Sequence, residues 1–208
     1  MKNPWKKINL DDYENHMKLE SVFQLQTMNS IMKEQLSHYF IRSVMILGIA
    51  GGNGLEHVDT QTFEKVYGVD INPGYLTECS VRYPQLNGIL ETIVADLTND
   101  IFDLPYVDLI VANLFIEYIG YTCFQKIVEQ VKPHYVSCVI QVNTDTSFVS
   151  DSPYLHVFDE LEQVHHEIQP EKLANVMLGT GYSYSLKEEY SLPNGKKLIR
   201  LDFSINLK

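Results

Sequence analysis

The chain has 208 residues, 45% of them apolar and 21% charged, enough for one substantial core. Its formal net charge is −11, and no Lys or Arg occurs between Arg82 and Lys126 or between Lys132 and Lys172, so it lacks the clustered cations that a nucleic-acid partner requires. Cys79, Cys123 and Cys138 are odd in number and form no CxxC pair, the basic start lacks an apolar h-region, and no apolar run reaches ~18 residues; disulfide frame, zinc site, signal peptide and membrane association are excluded, and a reduced, cytoplasmic setting is expected.

Asp11-Asp12-Tyr13-Glu14 and Ser21-Val22-Phe23-Gln24 have the form of capping boxes. In the stretch after the second, Leu25, Met28, Met32, Leu36 and Tyr39 recur at intervals of three or four and give one apolar face. Residues 1–42 are therefore expected to form a helical cap, two helices or one bent helix, ahead of a single domain at 43–208. From there short β-branched runs at 44–49, 65–70, 89–95, 107–113 and 135–142 read as strands, several apolar on both faces. Residues 73–83 and 121–131 read as intervening helices, the βαβ rhythm of a doubly wound, mostly parallel α/β sheet.

Towards the C-terminus, residues 147–153 read as a polar loop. Pro170 opens a helix to Leu178, with Gly179 as its left-handed stop. Residues 182–190 and 197–205 then read as strands around Leu192-Pro193-Asn194-Gly195, whose Asn-Gly pair signals a hairpin turn.

Chemistry concentrates at the strand ends. Residues 46–56 run from strand through a glycine-rich turn, Gly48 to Gly54, into an expected helix start; such a turn lets a ligand lie against the backbone and offers N–H donors. Asp70 stands at the tip of the next strand, where a carboxylate can accept hydrogen bonds from both hydroxyls of a ribose. Asp96 ends the third strand, placed to accept from an adenine amino group, and Asn113 ends the fourth. As structural alternatives, the turn is an ordinary tight connection, Asp70 a helix N-cap and Asp96 a turn residue.

These residues together resemble the class I (Rossmann-like) S-adenosylmethionine-dependent methyltransferases, particularly their small-molecule branch, from Val44 to Ile205. Ala50-Gly51-Gly52-Asn53-Gly54 looks like the family's GxGxG loop, Asp70 followed by Ile71 like its ribose acid, and Asp96-Leu97 like its adenine-contacting pair. Val131-Lys132-Pro133 looks like the lead into its fifth strand, and the terminal hairpin like its antiparallel seventh strand, inserted beside the fifth. The resemblance implies a seven-stranded sheet, an N-terminal helical lid and S-adenosyl-L-methionine bound by Gly48, Ala50, Gly52, Asn53, Gly54, Asp70, Ile71, Asp96, Leu97 and Asn113. Gly48 stands where the family often has Asp or Glu, Ala50 replaces the first loop glycine, and His134-Tyr135 replaces a Gly-Gly pair.

Methyl transfer needs an acceptor held in line and water excluded, and a base only if the acceptor must lose a proton. No residue of the sequence identifies itself as catalytic. The acceptor-pocket candidates are Tyr13, His16, Glu117, Tyr118, His156 and His165, with Ser152 and Tyr154 on the same loop. Adjacent His165 and His166 cannot easily share an ion, so no metal is expected. The expected partner is a small-molecule substrate. Alternatives are a nicotinamide-dependent oxidoreductase, against which the loop's departure from GxGxxG counts, and a non-catalytic S-adenosylmethionine-binding module.

Overall fold

A computed structural model describes residues 3–98, 103–143 and 147–206. Among these residues the strands are β1 (Ser43–Leu47), β2 (Lys65–Asp70), β3 (Leu90–Val94), β4 (Leu109–Asn113), β5 (Tyr135–Val142), β6 (Tyr182–Ser191) and β7 (Lys197–Ile205). They form one sheet in the order β3-β2-β1-β4-β5-β7-β6. β1 to β5 are parallel, and β7 runs antiparallel to both β5 and β6. This is the seven-stranded, mostly parallel sheet the sequence pattern predicts.

The alternation of side chains places the two cores. Val44, Ile46, Leu109 and Val111 face one side, with Leu36 of α2 (Gln24–His38) and Leu76 of α3 (Pro73–Arg82). Met45, Leu47, Ile110 and Ala112 face the other, with Phe124 and Val128 of α4 (Ile116–Val131) and Leu173 and Met177 of α5 (Pro170–Gly179). Burial on both faces is why these strands read as continuous apolar runs.

Four local expectations are corrected. The glycine-rich turn after β1 leads only into a short 3₁₀ turn, Leu55–His57, not a helix. The sheet face above it is covered instead by α2, whose Met32 sits where a Cβ on Gly54 would come within 2.5 Å of its Cγ. The cap of α1 (Leu10–Lys18) is Asn9, whose side chain accepts from the N–H groups of Asp11 and Asp12; those acids occupy the first turn, where the helix dipole favours them. Ahead of α2 the chain turns through left-handed Phe23 (φ 56°) with no side-chain cap, and full burial of Val22 accompanies this turn. After α5, Gly179 remains helical and Gly181 (φ 90°) supplies the left-handed residue.

Helix α4 is interrupted at Gly120 (φ 71°, ψ 170°). The stretch before the break carries Glu117 and Tyr118, and the remainder coincides with the predicted 121–131 helix.

The inserted strand β7 is tied in by charge. Arg200 and Asp202 are both buried, with Nη2 2.7 Å from Oδ2 and Nε 3.1 Å from Oδ1. Tyr39 and Ser137 also donate to Asp202. Removing one member of a buried pair leaves the other charge uncompensated. Arg200→Leu is therefore expected to lower stability by about 3–5 kcal/mol in urea titration, and adding Asp202→Asn should restore part of that loss.

Candidate active site and its cofactor cleft

The C-terminal ends of the parallel strands open onto a cleft of about 640 Å³, part of it open to solvent. Gly48 and Ala50 from the turn after β1, Asp70 and Ile71 from β2, Asp96 and Leu97 after β3, and Asn113 at the end of β4 all line it. The cleft continues beneath α1 and α2 into a hollow of about 590 Å³ bordered by Met17, Met28, Met32 and Asn53, which shares Gly48, Ala50 and Asn113 with it.

Asp70 organises this edge. Its Oδ2 accepts the N–H of Ala50 at 3.0 Å and its Oδ1 that of Asn72 at 2.8 Å. Burial raises its carboxyl above the ordinary range, while the backbone donors act in the opposite sense. Gly48 has φ 69° and Ala50 φ 48°, and a Cβ on Gly48 would lie 2.5 Å from the Phe115 ring. The missing side chain makes room for that ring at the edge of the cleft. Asp96 Oδ1 accepts from both the hydroxyl and the N–H of Thr98, at 2.6 and 3.2 Å. The Asn113 amide pairs with that of Gln35, at 2.8 and 2.9 Å.

Gly52 and Gly54 do not line the cleft. A Cβ on Gly52 would lie 2.8 Å from Cys79 and Tyr83, so its role is close packing against α3; Gly54 lies under Met32. Asn53 donates to the Leu25 carbonyl at 2.9 Å and borders only the continuing hollow. Without a helix following β1, this half of the loop turns towards α2 and α3.

A second cavity of about 530 Å³ adjoins the cleft and shares Trp5, Tyr13, Leu114 and Tyr118 with it. Five acceptor-pocket candidates, Tyr13, His16, Glu117, Tyr118 and His165, meet there. His156 does not; its side chain is 92% exposed beside Asp159, because Phe158 and Leu161 take the buried side of that 3₁₀ segment. Ser152 reaches His16, with Oγ 2.8 Å from Nδ1. Burial pushes His16 down to about 4, so it is a neutral imidazole at pH 7. Glu117 is 4% exposed, and burial pushes its carboxyl up to about 7. Its Oε1 accepts the Gln141 N–H at 2.8 Å; among the described residues Oε2 has no hydrogen-bond partner.

The sequence reading missed Trp5, Gln24, Gln141, Phe148 and Phe158, all in this cavity. Trp5 stands edge-on to Tyr13 and Tyr118, with ring centroids 5.5 and 4.9 Å apart. Its signal was that it is the chain's single tryptophan, placed just before the first helix. Among the described residues no group of three His, Cys, Asp or Glu is arranged to hold a metal ion, and no helix is long and apolar enough to cross a membrane.

A strand order with an antiparallel strand inserted beside β5, and acids at the tips of β2 and β3, define the class I methyltransferase fold. Residues 46–135 match the family described as a methyltransferase domain, and the chain as a whole has the fold of the class I S-adenosylmethionine-dependent methyltransferases. The N-methyltransferase NodS from Bradyrhizobium japonicum, crystallised with S-adenosyl-l-homocysteine, superposes with a TM-score of 0.68 at 11% identity, covering 99% of this chain and 100% of that one. Magnesium protoporphyrin IX methyltransferase from Synechocystis, with bound SAH, gives 0.67 at 11% identity over 97% and 96%. Geranyl diphosphate methyltransferase with GPP and sinefungin gives 0.64 at 9% identity over 86% and 77%. No curated protein matches the sequence.

The cleft fits S-adenosylmethionine: the glycine-floored turn, two strand-tip carboxylates and an apolar lining of Ile71 and Leu97 suit a nucleoside, and the adjoining hollow suits an aliphatic extension. The raised Glu117 carboxyl has a consequence for stability. Between about pH 4.5 and 7 the folded state binds the proton more tightly than the unfolded chain, so this residue makes stability fall as pH rises, by up to about 3 kcal/mol. Glu117→Gln removes the titration, and its stability measured by urea unfolding should decline less than the wild type's across that interval.

Proposed function

We propose that the chain methylates a small-molecule acceptor held in the second cavity, in a cytoplasmic setting and without nucleic acid as substrate. The observation that carries this reading is the shared wall, Trp5, Tyr13, Leu114 and Tyr118, between that cavity and the cofactor cleft. When bound, the cofactor supplies an electrophilic methyl group on a sulfonium. Asp70 is our choice to receive the ribose hydroxyls and Asp96 the adenine amino group, with Ile71 and Leu97 against the base. Gly48 and Ala50 let the cofactor approach the backbone, and Asn113 borders its methionine end.

The aromatic side chains and the N-terminal segment exclude water, so proximity and orientation supply much of the rate. Helix α1 acts as a lid. Tyr13 of α1, with Trp5 and Ile8 just before it, packs on Phe158 and Leu161 in a small cluster separate from the two sheet cores.

Mass spectrometry after incubation with methyl-labelled S-adenosylmethionine and a cell metabolite extract tests the reading; a labelled small molecule is expected, and unchanged cofactor with no labelled product would overturn it. Asp70→Ala should remain folded by circular dichroism and lose at least tenfold in S-adenosylhomocysteine affinity by calorimetry, since charge-assisted hydrogen bonds contribute about 1.5–3 kcal/mol. Deleting residues 1–18 should leave the parallel sheet folded and reduce turnover far more than thermal stability. Full activity in that truncated protein would refute the lid, and aggregation would show the segment to be a structural cover.

A further inference from the structure

We infer that the second cavity is an amine site, in which Glu117 Oε2 receives an N–H of a primary or secondary amine whose apolar body lies among Trp5, Tyr118, Phe148 and Phe158. For catalysis this rests on the methyl-transfer reading above and makes the transfer an N-methylation; binding of the amine stands independently of it.

Three observations converge. The first is the carboxylate itself. Oε1 is held by the Gln141 N–H, and among the described residues Oε2 is buried without a partner. A buried charged or polar oxygen left unpaired is costly, so a ligand donor completes the site. The second is the wall, where aromatic faces attract a cation once water is displaced. The third is what the wall lacks. Among the described residues neither the cavity nor the cleft is bordered by a lysine or an arginine. A carboxylate or phosphate acceptor would find no counter-charge there and would be repelled by Glu117.

The groups around Glu117 leave it the charge that matters. Tyr13 and His16 face the cavity from α1, Tyr118 from its own helix and His165 from the segment before α5, while Cys138 of β5 lies behind Glu117 in the sheet core. The His166 N–H bonds the Glu117 carbonyl at 2.6 Å. Burial raises Tyr13, Tyr118 and Cys138 and lowers His16 and His165, so these five are neutral near pH 7.

The chemistry balances. The ammonium N–H gives its proton to Glu117, which becomes a neutral acid, and the nitrogen regains its lone pair. The N–C bond forms as the methyl carbon's bond to sulfur breaks, and the bonding pair leaves with the sulfur. The methylated ammonium carries the positive charge that the sulfonium has lost, and Glu117 returns its proton to solvent when the site opens.

The test is calorimetry on the full chain saturated with S-adenosylhomocysteine. The probes are benzylamine, 2-phenylethylamine and 4-phenylbutylamine, each compared with the alcohol and carboxylate of the same skeleton. At pH 8 at least one amine should bind ten times more tightly than both counterparts, and Glu117→Gln should weaken it at least tenfold. In the wild type, amine affinity should fall as pH drops from 8 to 6, approaching tenfold per unit below about 7 as Glu117 is protonated while the amines stay charged. This arm decides the matter even if the variant does not fold. Equal binding of alcohol and amine, preference for the carboxylate, or a flat pH response would overturn the amine site. If S-adenosylhomocysteine fails to bind while an amine binds through Glu117, the methyl-transfer reading falls and the amine site stands.

Discussion

Two backbone N–H groups from different loops converge on one carboxylate, that of Asp70, and the geometry of the cleft depends on this. The parallel register aligns Leu47 with Val69, so the tips of β1 and β2 end level. The Gly48 N–H then reaches the Val69 carbonyl at 2.8 Å, and Ala50 and Asn72 close onto Asp70. Bonds to an ionised acceptor are stronger than those between neutral groups, which suits them to hold Gly48 and Ala50 in left-handed conformations. Each carboxylate oxygen is occupied by one backbone donor and retains further acceptor capacity. A single residue thus fixes the turn and still offers a face to a ligand.

The same strand tip leads into α3, and α3 anchors the N-terminal segment. Asn72 donates to the Trp5 carbonyl at 3.0 Å, the Tyr75 hydroxyl to that of Ile8 at 2.9 Å, and Arg82 pairs with Glu14 at 2.5 Å. Each such contact contributes on the order of 1 kcal/mol, little beside the continuous burial of the sheet. A cover held by a few polar contacts and a separate aromatic cluster is tied to the sheet more weakly than the sheet is tied to itself, which is what the proposed lid requires.

The sheet was legible because burial on both faces leaves long β-branched runs; β2, β5 and β7 coincide with their predicted spans, and the strand-tip residues Asp70, Asp96 and Asn113 line the cleft. What was illegible is tertiary. Glycines 52 and 54 look like part of a ligand loop, yet their spacing serves α2 and α3, and nothing local announces that α2 will arrive from upstream to replace the helix after β1. His156 and His165 lie nine positions apart on similar polar ground. Only the choice of Phe158 and Leu161 as the buried side of the 3₁₀ segment separates an exposed histidine from one in the cavity. Trp5 lies among Lys2, Lys6 and Lys7 in a short basic stretch with no apolar periodicity to mark its ring as half-buried.

The long gaps in Lys and Arg acquire a local meaning once the chain is folded. Leu114, Glu117 and Tyr118 come from the first gap, and Gln141, Phe148, Phe158, Leu161 and His165 from the second. These segments therefore bring no cationic side chain to the cavity they wall. A low-dielectric, aromatic enclosure magnifies whatever charge remains, and that charge is a carboxylate whose own burial already opposes ionisation. The net charge of −11 adds a long-range field that draws cations and repels anions. The cavity and the overall field thus select the same sign of ligand, a selectivity that a neutral surface around the same pocket would supply only at contact.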